Sequence, residues 1–198
     1  MSVLIISGSP SDGSRTRLVL DQVAERLGSH GLASETLSVS ALPARRLLSA
    51  DANDAEIDAA IGALLRADVL VVGTPIYKAS FSGLLKAFLD LLSPAALKGK
   101  IVLPLATGGS NAHFLALDYS LRPVLQALGA SVVLPSVFAT EQQVERNPDG
   151  KSAVLDDELS GRLDQAIDQI VTLHAAIINP ASQVSASGVL DQLAFAPG

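Results

Sequence analysis

Three short runs of this chain, Val-Leu-Ile-Ile-Ser at 3–7, Val-Leu-Val-Val-Gly at 69–73 and Ile-Val-Leu-Pro-Leu-Ala at 101–106, are apolar at nearly every position. A strand with one wet face alternates polar and apolar residues. Strands that do not alternate must be covered on both faces, as in parallel sheets flanked by helices. The intervening segments carry helical stripes. Leu20, Val23, Ala24 and Leu27 mark a helix over residues 15–27 with Ser14 as its N-cap, and Ile57, Ala60, Ile61, Leu64 and Leu65 mark another. Further helices are predicted at 84–92 and 112–128, and Leu159, Leu163, Ile167 and Ile170 mark the last. Weaker strand patterns lie at 33–40 and 131–138.

Five strands alternating with five helices predict an α/β, flavodoxin-like three-layer sandwich around a five-stranded parallel sheet of order 2-1-3-4-5. The 198 residues are too few for an eight-fold α/β barrel, which takes about 250. One domain is expected over residues 1–177. Residues 178–198, rich in Ser, Ala and Pro, read as a C-terminal tail, either mobile or in contact with another subunit. The first ten residues, MSVLIISGSP, hold only a short apolar run with no basic segment before it, so neither a signal peptide nor a membrane span is expected and the cytoplasm is the default location.

Composition narrows the chemistry. With no cysteine there is no thiolate nucleophile, disulfide or cysteine-bound metal, and His30, His113 and His174 are too scattered to suggest a metal site. The 14 Lys and Arg residues against 20 Asp and Glu give a net charge of −6, which is the wrong sign for a nucleic-acid binder. An enzyme with so few reactive side chains would take its chemistry from a cofactor.

In an open parallel sheet, ligands bind outside the carboxyl ends of the strands. Three loops fall there. The first, residues 8–16, combines Gly8, Ser9, Ser14, Arg15 and Thr16 at a helix start, which suits a phosphate held by backbone amides. It is neither a Walker loop nor G-x-G-x-x-G, and an ordinary Ser/Gly connection explains it equally well. The second, residues 73–83, holds Pro75, Ile76, Tyr77, Lys78, Ser80, Phe81 and Ser82. Tyr77 and Phe81 could flank a planar heteroaromatic ring or simply cap the core, and Lys78 alone reads as a solvated lysine. The third runs from Thr107 through Gly108, Gly109 and Ser110 to His113, and its paired glycines would let a ring approach the backbone. Within the helix that follows, Pro123 must clash with the carbonyl of Tyr119. A plain kink is the simpler reading of that from the residues alone, though π-bulges at such places accompany functional sites.

Taken together, GSPSDGSRT, VVGTPIYKASFSGLLKAFLDLL, LKGKIVLPLATGGSNAHFLALDYSLRPVLQALGA and the Val137-Phe138-Ala139 strand end resemble the NAD(P)H-dependent FMN reductases. Within that family the chain is most similar to the reductase components of two-component alkanesulfonate and methanesulfonate monooxygenase systems. The resemblance covers roughly residues 1–175, and TPIYKASFSG and LPLATGG are its most specific stretches. It implies that Ser9, Ser14, Arg15 and Thr16 hold the FMN phosphate. Pro75, Ile76, Tyr77 and Lys78, with Ser80 and Ser82, would line the isoalloxazine ring, and Thr107, Gly108, Gly109 and Ser110 would meet its polar edge. Tyr119 falls where the sulfonate-system reductases have a π-helix at a tetramer interface, which turns the expectation at Pro123 from a plain kink to a π-helix. Ser11 stands where the family commonly has arginine, so Arg15 and the backbone amides would carry more of the phosphate.

The resemblance implies hydride transfer from NADPH or NADH to FMN, delivery of reduced FMN to a partner monooxygenase in organosulfur utilisation, and a homodimer or homotetramer. No metal, nucleic-acid or membrane partner is expected. A flavin-retaining quinone or azo-dye reductase, a flavodoxin-type electron carrier and a binding domain without redox chemistry are the alternatives.

Overall fold

The computed structural model describes residues 1–178, and residues 179–198, nearly all of the expected tail, lie outside the described part. The chain runs β1 (Val3–Ser7), α1 (Arg15–Ser29), β2 (Ser34–Ser38), α2 (Ala44–Leu48), α3 (Ala55–Arg66), β3 (Val69–Tyr77), β4 (Ser80–Phe81), α4 (Gly83–Leu89) and β5 (Ile101–Gly108). A π-helix (Leu117–Leu121), α5 (Arg122–Ala127), β6 (Val132–Val133), β7 (Val137–Thr140), β8 (Val144–Arg146), β9 (Ala153–Leu155) and α6 (Asp157–Ile178) complete it.

The expected parallel sheet and its strand order are present. β2, β1, β3 and β5 lie side by side, and both β6 and β7 pair with the outer edge of β5. The fifth strand, expected unbroken over 131–138, is thus split in two. Pro135 lies at the break and has no N–H to give a ladder. Alternate residues of each strand feed opposite cores. Leu4, Ile6, Leu70, Val72 and Val102 pack with α3, α4 and α5, whereas Val3, Ile5, Val69, Val71, Ile101 and Leu103 pack with α1 and α6. Burial on both faces is why these strands show no alternation. The short α2 and the β8–β9 hairpin carry too few apolar positions to announce themselves in sequence.

Two elements run differently from expectation near the carboxyl edge. β3 extends to Tyr77 and turns back through β4, so half of the second loop is a hairpin. The helix expected at 112–128 is broken: a 3₁₀ turn at Asn111–His113 leads to the π-helix. The distortion centred on Tyr119 takes this form because Pro123 has no N–H, and the inserted residue lets the Arg122 N–H reach back five residues to the Leu117 carbonyl.

Arg122 fastens this segment to the broken strand. Its Nε meets Asp118 Oδ1 at 3.0 Å, and its terminal nitrogens donate to the Val133 and Leu134 carbonyls at 3.0 and 2.9 Å. Two interruptions, one in a helix and one in a strand, therefore satisfy each other through one guanidinium. Arg122→Met keeps the length but takes the guanidinium from these carbonyls and leaves Asp118 only the Ser136 hydroxyl, and is expected to cost about 2 kcal/mol of stability. A urea midpoint equal to that of the unmodified protein would show that the clamp contributes nothing.

Candidate functional site

The register of the sheet aligns the three loops. Ser7 lies beside Gly73, Pro75 beside Thr107, and Thr107 beside Ala139, so β1, β3, β5 and β7 end along one edge. Close packing brings them there. The Gly8 N–H donates to the Gly73 carbonyl at 2.7 Å, and a Cβ on Gly8 would lie 2.7 Å from that of Leu85. A Cβ on Gly108 would come within 2.8 Å of the Phe138 ring. These two glycines permit the packing beneath the cleft, and a Cβ on Gly109 would meet only the Glu141 carboxylate, 3.9 Å away.

Above this edge lies a cleft of about 170 Å³ lined by Ser14, Arg15, Thr16, Pro75, Ile76, Tyr77, Thr107, Gly108, Gly109 and Glu141. Nine of these ten stand among the residues singled out in sequence. A wider groove of about 350 Å³, lined by Met1, Ser2, Glu35 and Arg66 among others, lies at the opposite ends of the strands and holds none of the three loops.

Each wall has a physical cause. Ser14 caps α1 by accepting from the Arg17 N–H at 3.2 Å, which leaves the Arg15 and Thr16 amides as the free donors of the first turn. No acidic residue sits in that turn to compete for an anion. Arg15 Nε is buried without a partner, while its terminal nitrogen meets Glu141 Oε2 at 3.2 Å. Thr16 Oγ1 and Thr107 Oγ1 share a buried hydrogen bond of 2.6 Å that ties the first loop to the third. One hydroxyl proton of that pair remains for a ligand.

The other expected residues stand apart from the cleft lining. Ser82 Oγ donates to the Gly8 carbonyl at 2.6 Å and accepts from the Leu85 N–H at 3.1 Å, so it joins two loops and caps α4. Ser9 is buried and its hydroxyl donates to the Ser11 carbonyl. Ser110 Oγ accepts from the Ala112 N–H and lies in a neighbouring depression with Gln142 and Gln143. Ser80 pairs with Tyr77 across the hairpin. Lys78 and Ala79 form its two-residue turn with φ of 49° and 62°, a left-handed pair that Asn-Gly fills most readily. The sequence reading missed Glu141. Its only signal was its place just beyond the fifth strand.

An apolar rim lies next to the cleft. Tyr77, Phe114, Leu115 and Tyr119 are 54%, 41%, 54% and 78% exposed, and β4 packs against the π-helix that carries Tyr119. Patches of this kind mark interaction surfaces. Among the described residues no group of His, Asp and Glu is placed to hold a metal ion, and no helix is long and apolar enough to cross a membrane.

Fold and cleft together define a flavodoxin-like protein whose sheet edge gathers a helix N-terminus, an arginine and a tyrosine around one cleft. Residues 1–145 match the family described as NADPH-dependent FMN reductase, and the chain belongs to that family. It is 43% identical to an FMN reductase (NADPH) of Pseudomonas putida over 97% of this chain and 95% of that one. A NADH-dependent FMN reductase, SfnE, of Pseudomonas putida is 34% identical over 89% of this chain and 94% of its own length. The apo crystal structure of a NADH:FMN oxidoreductase, EmoB, superposes with a TM-score of 0.76 at 41% identity, covering 85% of this chain and 87% of that one. The protein is thus an NAD(P)H-dependent FMN reductase.

The hairpin tip yields a prediction. Non-glycine residues in left-handed conformations carry strain, so replacing Lys78 and Ala79 by Asn and Gly is expected to stabilise the fold by about 1 kcal/mol. For a chain of this size the corresponding rise in Tm is roughly 2–4 °C. An unchanged Tm would mean that the turn stores no strain.

Proposed function

We propose that this cleft holds FMN by its phosphate at the start of α1, presents the flavin to a nicotinamide donor, and releases reduced FMN to a separate monooxygenase. The observation that carries the reading is Arg15. Its Nε is buried without a partner, beside two free helix amides, in the cleft where the three loops meet. A phosphate satisfies all three donors together. The residues present therefore fit the group.

Bound FMN would supply the redox chemistry, accepting a hydride from the reduced nicotinamide. The chain's residues bind and orient. Arg15, the Arg15 and Thr16 amides and the spare Thr16–Thr107 proton would anchor the phosphate. Ile76, Tyr77 and Gly109 would form the wall and floor for the ring, and Lys78, Ser80 and Ser110 would border it. Ser9 and Ser82 would act indirectly, by holding the shape of the loops. The cleft encloses about 170 Å³, below the 300 Å³ or so at which ligand pockets begin. One chain thus leaves much of the flavin uncovered. An open ring face suits a transient nicotinamide, and loose retention suits transfer to another enzyme.

The similarity to SfnE supports a monooxygenase partner and a role in organosulfur utilisation. The exposed rim of Phe114, Leu115 and Tyr119 supports a homodimer or homotetramer built over the π-helix. A cytoplasmic location accords with both.

Stopped-flow mixing with FMN and either nicotinamide donor should bleach the flavin, and no bleaching with either would refute the reading. Arg15→Ala should weaken FMN binding roughly ten- to a hundredfold, since it removes a charge-assisted contact of about 1.5–3 kcal/mol, and leave riboflavin binding nearly unchanged. Equal losses for both ligands would place Arg15 away from the phosphate. Deletion of Tyr119 should straighten the π-helix and alter the mass seen by light scattering or the retention of FMN. If neither changes, Tyr119 plays no part in assembly or flavin handling.

A further inference from the structure

Glu141 is the cleft residue for which phosphate anchoring and ring stacking give no use. It stands one residue beyond β7, with its backbone fixed by an N–H···O bond of 3.2 Å to the Gly108 carbonyl. Its side chain crosses the cleft. Oε2 lies 3.2 Å from the Arg15 guanidinium, and Oε1 lies 3.9 Å from where a Cβ on Gly109 would stand. A carboxylate thus spans the floor between the phosphate anchor and the third loop. Glu141 has no other side-chain partner among the described residues, and its side chain is 56% exposed. It is free to swing away.

We propose that Glu141 is an internal competitor for Arg15: its carboxylate takes the place of the flavin phosphate on the guanidinium and must leave when FMN binds. The proposal rests on Arg15 being the phosphate anchor. A buried guanidinium edge without an acceptor is costly, so a helix start built for an anion benefits from one of its own. The carboxylate provides it in part, meeting one terminal nitrogen and leaving Nε unmet. A tetrahedral phosphate can meet both. Binding and release then become an exchange of anions on Arg15, and release of the product never strands a bare guanidinium. Glu141 therefore lowers affinity for phosphorylated flavins and speeds their departure, which is what delivery of reduced FMN needs. A role in steadying Arg15 for the phosphate would have the opposite sign.

The geometry also sets a selectivity. Riboflavin has no phosphate to displace the carboxylate, so its affinity should ignore Glu141. An ion pair as exposed as this one shifts an equilibrium by a factor of about 1.5 to 5. Removing the repulsion between carboxylate and phosphate adds to it, so Glu141→Gln is expected to tighten FMN binding about threefold to tenfold.

The test is titration of the full chain and the E141Q protein with FMN and with riboflavin, followed by flavin fluorescence, with Tm checked to confirm that both are folded. FMN binding that tightens while riboflavin binding stays within twofold supports the exchange. Unchanged or weaker FMN binding overturns it, the weaker case indicating that Glu141 positions Arg15. Equal tightening for both flavins also overturns it, by placing the carboxylate against the ring. Failure of the underlying reading looks different: the unmodified protein would then hold FMN and riboflavin equally well, and Arg15→Ala would affect both alike.

Discussion

A parallel sheet buried on both faces has nowhere to put a ligand except the ends of its strands, and this constraint governs the molecule. Val3, Ile5, Val69 and Val71 are committed to the layer under α1 and α6, and Leu4, Ile6, Leu70 and Val72 to the layer under α3, α4 and α5. The amino ends, although a groove opens there, are tied to one another by polar contacts. The Ser2 N–H donates to Asp68 at 2.8 Å, and Lys100, whose buried ammonium is held below the usual lysine range by loss of solvent, donates to the Leu65 and Ala67 carbonyls. The carboxyl ends stay open because glycines and hydroxyls replace side chains that would close them. Thr16–Thr107, Ser82–Gly8 and Gly8–Gly73 are the bonds that hold three separate loops at one place.

How much of this was legible in the sequence follows from which interactions are local. The doubly buried strands could be read because burial on two faces leaves an unbroken apolar run, and the order of the sheet followed from alternation with helices. The π-helix was foreshadowed by Pro123, whose missing N–H is a property of one residue. The resemblance then sharpened a kink into a specific distortion. Ser14 was recognisable as a cap because capping acts over three residues.

What could not be read depends on contacts far apart in the chain. Ser9 and Ser82 look like ligand residues, since a hydroxyl in a Gly-rich loop suits a phosphate as well as a backbone carbonyl. Only the approach of Gly8 to Ser82 decides that Ser82 is spent on the fold. Gly108 lines the cleft, and only the structure shows that it also makes room for Phe138, whose ring lies 2.8 Å from its absent Cβ. Glu141 carries no motif, and its meaning comes wholly from lying opposite Arg15, 126 positions earlier in the chain. The split of the fifth strand was missed because one proline among apolar residues reads as a dent in a strand, whereas the Arg122 clamp makes it a stable break.

Several departures from local preference lie close together beside the cleft. Among the described residues three non-glycines have positive φ, and two of them, Lys78 and Ala79, form the hairpin beside the cleft. The π-helix lies against that hairpin, and Arg15, with its buried unpaired Nε, faces it across the cleft. Unfavourable choices persist only where surrounding structure over-determines them, and here the doubly packed sheet does so. The result is a rigid base with unmet bonding capacity at its rim. The core can be relaxed because it never meets a ligand. The rim keeps an arginine whose own chain meets it only in part, since Glu141 reaches one terminal nitrogen and leaves Nε unpaired.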